Sequence, residues 1–151
     1  TPKSLLRHPL CVSPIADFAT GAFQEVIDDN FVKADLIKRV LFCSGKIYYD
    51  LLEKQQTDKR SDVAIVRLEQ LYPSPVAQLE AIKTKYKKAS EFIWVQEEPE
   101  NMGYWNYLLR LLYQELPMRV ISRKASASPA TGYNKVHVEE QKNLVAQALS
   151  L

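Results

Sequence analysis

Long apolar runs, histidine, cysteine and an excess of charge of either sign are what this sequence has least of. No stretch approaches the roughly 18 to 20 consecutive apolar residues that span a bilayer, which excludes a transmembrane helix. The amino terminus also lacks the basic, apolar and small-residue order of a signal peptide, so the expected location is the cytoplasm or a mitochondrial matrix. Twenty basic residues against eighteen acidic ones leave a net charge of +2, too weak a field for nucleic-acid binding. The two cysteines, Cys11 and Cys43, are far apart and fit neither a CxxC redox pair nor a zinc spacing, and are expected as free thiols. With only His8 and His137, and no HxxE or HExxH, a transition-metal site built by the protein is not expected. There is no internal repeat, no low-complexity tract and no GxSxG nucleophile motif.

What remains is an ordinary globular composition. Apolar residues make up 46% and charged residues 25% of 151 positions, and a chain of this length buries roughly 68 to 70% of its unfolded surface on folding. One domain with a real core is therefore expected. Strand-like and helix-like patterns alternate, which argues for a parallel sheet covered on both faces. Val40 to Cys43, Val63 to Leu68, Phe92 to Val95 and Met118 to Ile121 read as strands. After the first, Ile47, Tyr48, Leu51 and Leu52 recur at helical spacing. After the second, Ser74 is expected to cap a helix with Pro75 at its first position and a stripe of Val76, Leu79, Ile82 and Tyr86. Tyr104, Leu108, Leu111 and Leu112 mark a third helix that Pro117 ends, and Leu144, Val145, Ala148 and Leu149 mark the last. Residues 1–35 fit this pattern poorly. Pro2, Pro9 and Pro14 interrupt any long element, and the segment reads as a linker leading in from a preceding domain, with a short strand and a short helix. Residues 36–151 form the domain proper.

The residues that could carry chemistry cluster at the carboxyl ends of the expected strands, where open α/β sheets meet ligands and partners. Ser44-Gly45-Lys46 sits between a strand and a helix like a phosphate loop. The spacing rejects that reading, because Val40 and Ile47 stand where glycine and a hydroxyl residue are required. Glu97, Glu98 and Glu100 supply carboxylates, but neighbours on an extended segment point to opposite sides and do not make an acid/base pair by adjacency. They read as an acidic loop, or as a contact to another domain, with Gln96 and Asn101 adding hydrogen-bonding capacity. Arg119, Arg123 and Lys124 precede Ser126, Ser128 and Thr131, a basic and hydroxyl-rich group suited to a phosphate or carboxylate. Lys83, Lys85, Lys87 and Lys88 read as the wet face of a helix. His137 is expected to cap or pack near the start of the last helix rather than to catalyse.

These same segments carry a resemblance. Pro2 to Pro9, Cys43 to Leu52, Ile65 to Pro73, Trp94 to Pro99 and Ala125 to Ala130, in that order, resemble the carboxy-terminal domain of the thiamine-diphosphate-dependent, decarboxylating component of 2-oxoglutarate dehydrogenase. The resemblance implies a doubly wound, mostly parallel five-stranded sheet with one antiparallel edge strand, as in transketolase. It also implies a parent enzyme that uses thiamine diphosphate and magnesium to decarboxylate 2-oxoglutarate in the tricarboxylic acid cycle, forms a homodimer, and passes the succinyl group to a lipoyl-bearing succinyltransferase. The GDG-type segment that holds the metal and diphosphate is absent from this sequence, so the isolated chain is expected to be inactive. On the same analogy Gln96, Glu97, Glu98 and Asn101 would face a neighbouring domain or subunit. The charge and hydroxyl cluster of Arg119, Arg123, Lys124, Ser126 and Ser128 is itself the reason to expect a regulatory anion there, such as an acyl-CoA or nucleotide phosphate. Two alternatives stay open: the equivalent domain of another thiamine enzyme acting on a different 2-oxo acid or a ketose, and a free-standing flavodoxin-like binding module.

Overall fold

The computed structural model describes residues 2–112 and 116–151. Five strands form one sheet in the order β1-β3-β2-β4-β5: β1 (Val26–Ile27), β2 (Arg39–Cys43), β3 (Val63–Leu68), β4 (Glu91–Pro99) and β5 (Arg119–Arg123). Only β1 runs antiparallel, against the end of β3, with Val26 opposite Leu68. The other pairings are parallel. The expected fold class is thus the observed one, and the short strand expected in the first 35 residues is the edge strand β1.

Helices cover both faces. Val40, Phe42, Ala64, Val66 and Trp94 point to one side, where α3 (Val76–Lys85) and α4 (Trp105–Leu112) pack through Leu79, Ile82, Leu108 and Leu112. Leu41, Cys43, Val63, Ile65, Ile93 and Val95 point to the other, against α2 (Ile47–Thr57) and α5 (Asn134–Leu149) through Ile47, Leu51, Leu144, Val145 and Ala148. Because each central strand is buried on both sides, its sequence is a continuous apolar run rather than an alternation. Burial lifts the Cys43 thiol to about 12, and both cysteines are free. A six-residue helix, α1 (Ile15–Thr20), precedes the sheet and buries none of its residues.

Two local expectations need correction. Ser74 does not cap α3, which starts at Val76. Pro75 (φ −79°, ψ 63°) forms an inverse γ-turn, with the Val76 N–H donating to the Ser74 carbonyl at 2.9 Å, so the proline sits before the helix rather than in it. The segment read as an acidic loop is strand: β4 continues through Glu97 and Glu98 to Pro99, because β5 keeps pairing with it, across an irregularity, as far as Pro99 opposite Arg123. The end of the third helix at residues 113–115, expected from Pro117, lies outside the described residues.

Candidate functional site at the carboxyl rim

From β2 the chain crosses to β3 on one side, and from β4 it crosses to β5 on the other. The carboxyl ends of these adjacent strands therefore flank the crevice where a doubly wound sheet reverses direction. Here the chain closes that crevice itself. Gly45 adopts φ +74° in the turn after β2, Lys46 follows it, and the Lys46 ammonium forms an ion pair with Glu97 on β4. Ser44-Gly45-Lys46 is a strand-to-helix turn whose lysine is already engaged.

Gln96 is the best-connected residue of the rim and is 3% exposed. Its Oε1 accepts from the Trp94 indole N–H (2.8 Å) and from the backbone N–H of Trp105 (3.2 Å). Its Nε2 donates to the carbonyls of Met102 (2.8 Å) and Pro99 (3.1 Å). One side chain thus fixes a core tryptophan, the tight turn after β4 and the first turn of α4. Gly103, at φ +70°, lets the turn pass over it: a Cβ there would lie 3.0 Å from the Gln96 Oε1. The amide of Gln96 is spent inside the chain. Trp94 could have announced this, since a buried indole N–H needs an acceptor and residue i+2 of a strand lies on the same face.

The other three rim candidates differ. Glu97 is half-buried and paired with Lys46. Asn101 makes a reciprocal pair with the backbone of Ser126, donating to its carbonyl and accepting from its N–H, both at 3.0 Å, which ties the β4 turn to the loop after β5. Glu98 is exposed, and its carboxylate has no partner among the described residues.

The structure splits the basic group. Arg119 opens β5 and pairs with Glu91 at the amino end of the sheet. Four residues of strand, roughly 13 Å, separate it from Arg123. Arg123, Lys124, Ser126 and Ser128 do come together, lining a cavity of about 210 Å³ that Thr131 and Glu140 complete. The Arg123 side chain is 9% exposed. Its Nη2 donates to Nδ1 of His137 (3.0 Å) and Oε1 of Gln141 (3.1 Å), while its Nε is buried without a partner. His137 thus packs, as expected, but its partner is β5 rather than the helix end. The hydroxyls are largely turned inward: Thr131 donates to Glu140 (2.6 Å), Ser128 to the Ala130 carbonyl (2.9 Å), and the Ser126 oxygen accepts from the Ser128 N–H (3.1 Å).

One part of the rim is not evident from motif reading. Residues 8–25 form a strap anchored to it at both ends. The Tyr49 hydroxyl donates to Cys11 Sγ (3.1 Å) and the rings of His8 and Tyr49 lie 5.1 Å apart, which fixes the strap at the start of α2. The Glu25 carbonyl accepts from the N–H groups of Glu69 (2.9 Å) and Gln70 (3.2 Å), which fixes it just beyond β3. Beside the Tyr49 anchor, Arg67 donates to the Tyr49 hydroxyl (3.2 Å), stacks over Tyr48, 4.5 Å from the ring centre, and approaches Glu69 to 2.7 Å. Burial raises both Tyr48 and Tyr49 above the usual phenol range.

Residues 12 to 149 match the family described as 2-oxoglutarate dehydrogenase C-terminal. The chain belongs to that family. It is 44% identical over 156 residues to the 2-oxoglutarate dehydrogenase E1 component of Haemophilus influenzae, covering 99% of this chain and 17% of that protein. The E1 component of Cupriavidus necator is 43% identical, at 99% and 16% coverage. The oxoglutarate dehydrogenase of Buchnera aphidicola is 42% identical, at 100% and 17%. The chain therefore spans about a sixth of the length of the curated relatives it matches.

The described residues of this family domain do not suit a metal-bound diphosphate. No three His, Cys, Asp or Glu side chains among them converge to hold a metal ion, and the lysine of the one strand-to-helix turn that resembles an anion cradle is paired with Glu97. No described helix is long and apolar enough to cross a membrane.

Proposed function

We propose that this chain is the noncatalytic carboxy-terminal domain of a thiamine-dependent E1 component that decarboxylates 2-oxoglutarate and passes the succinyl group to a lipoyl-bearing succinyltransferase. The observation that carries this reading is the match of essentially the whole chain to one sixth of each E1 relative. Thiamine diphosphate, the electron sink of such chemistry, and magnesium belong on this reading to the remainder of the polypeptide. The domain's part is assembly: the rim meets other domains or the second subunit of a homodimer, Glu98 outward and Glu97 beside it, while Gln96 and Asn101 hold the rim in shape. Residues 1–35 lead in from the preceding domain and end by supplying the edge strand. The proposed compartment is the bacterial cytoplasm or the mitochondrial matrix.

The test is 2-oxoglutarate-dependent ferricyanide reduction by the full-length protein. Turnover that requires both thiamine diphosphate and magnesium is expected, with none from residues 1–151 alone. Absence of turnover with 2-oxoglutarate but activity with another 2-oxo acid would replace the substrate.

The cavity that joins Arg123, Lys124, Ser126 and Ser128 favours a second, regulatory reading. Lys124 is exposed with no partner among the described residues, and could neutralise a phosphate or carboxylate of an effector such as an acyl-CoA or a nucleotide. Glu140 opposes it from the same wall. Calorimetry of the full-length protein with a nucleoside phosphate decides: weaker binding in Lys124→Ala supports the site, and unchanged binding removes it.

A further inference from the structure

Among the described residues, eight of the fifteen exposed large apolar side chains lie between residues 6 and 36. The concentration is sharpest in the strap. Every residue from 12 to 24 is exposed, and Asp17 is the only charge among them. Ile15 and Phe18, three positions apart and therefore on one face of α1, are 88% and 83% exposed; Val12 and Phe23 flank them at 75% and 68%. Aromatic and aliphatic side chains without charge are the composition of the buried centre of a protein interface, not of a solvated linker.

The position gives the patch its meaning. The strap is held at both ends beside the carboxyl ends of β2 and β3, by Tyr49 at Cys11 and by the Glu69 and Gln70 amides at Glu25, so α1 is not left trailing. That is the end of the sheet at which doubly wound domains meet their partners. We infer that the apolar face of Val12, Ile15, Phe18 and Phe23 is a docking surface, and that its occupant is the part of the same polypeptide that precedes this domain. The occupant follows from chain length and direction: relatives carry about five times as much sequence outside the matched region, and the match to a family described as C-terminal puts that sequence ahead of the strap. A preceding domain is tethered within reach, and its effective concentration exceeds that of any free partner. The inference rests on the chain being the end of a longer E1 protein.

Photo-crosslinking of the full-length protein tests it, with Phe18 replaced by benzoyl-phenylalanine, a conservative change at an exposed position. Cross-links that map to residues preceding this domain, in a product of single-chain mass, are expected. Ile15→Asp should reduce their yield about tenfold, the effect of losing one well-buried apolar anchor. Cross-links to a second copy of residues 1–151, a product of doubled mass, or no cross-link at all would overturn it. Ferricyanide reduction by the same preparation reports on the enzyme reading separately. An active protein without upstream cross-links fails the docking alone, and an inactive protein with them fails the activity alone.

Discussion

The two ends of the sheet use similar side chains to opposite effect. At the amino end, Arg39 opens β2 and is 7% exposed. Its Nε donates to Glu91 (2.6 Å), its Nη1 to the Ala148 carbonyl (2.9 Å) and also to that of Ser150. Arg60 pairs with Asp62 (2.7 Å) and reaches the Leu149 carbonyl. Two guanidinium groups thus take up the free carbonyls at the end of α5, where the helix dipole is negative. Glu91, shared between Arg39 and Arg119, balances the charge. That end is closed by these contacts, with Leu36 and Leu151 as its scattered exposed apolar side chains. At the carboxyl end Lys46 is likewise paired with Glu97 and Gln96 with backbone and indole groups, yet an apolar strap anchored there lies uncovered. Internal pairing therefore does not distinguish a finished surface from an unfinished one; exposed apolar area does.

Breaking the finished end should have the largest effect. Arg39→Ala takes from Glu91 one of its two guanidinium partners and leaves the Ala148 and Ser150 carbonyls without theirs, and should lower the stability of the chain by about 3 kcal/mol in urea unfolding. The rim's internal hub comes next. Gln96→Leu leaves the Trp94 indole N–H and the Trp105 amide without acceptors, at a cost of about 2 kcal/mol and with altered tryptophan emission. Gly103→Ala presses on the same amide from a left-handed backbone position and should cost about 1 to 2 kcal/mol.

A smaller effect depends on pH. The Arg60 hydrogen bond lowers the Asp62 carboxyl below its ordinary 3.8. A depressed carboxyl binds protons more readily in the unfolded chain, so its contribution is present above about pH 4 and is lost as pH falls through the lowered value. The pair is partly solvated and contributes less than about 1 kcal/mol. The urea midpoints of wild type and Asp62→Asn should differ at pH 6 and converge as pH falls below the lowered value. The smallest effect is expected at Glu98, exposed and unpartnered: Glu98→Ala should leave the stability of this chain within about 0.5 kcal/mol. Any consequence should be confined to the full-length protein.

Much of this was legible in the residues. The apolar runs located β2 and β3 closely, because strands buried on both faces tolerate little else. The stripe of Leu144, Val145, Ala148 and Leu149 located the inner face of α5. What could not be read is direction. Sequence places Gln96 at a strand end but does not say that its amide turns inward, and it places Arg119 four residues from Arg123 without showing that a strand carries them to opposite ends. Arg39 and Arg60 gave no warning, since their partners are carbonyls at the end of a helix 109 and 89 residues later. The strap escaped for a different reason. Prolines mark it as irregular, but only the fold shows that its apolar residues bury nothing here.

Hydrogen exchange, compared peptide by peptide between residues 1–151 alone and the full-length protein, tests the contrast most directly. The account predicts equal protection for peptides from the amino end, around Arg39, Asp62 and Leu149, and slowed exchange in the full-length protein for residues 12–24. Equal exchange of residues 12–24 in both forms would contradict it.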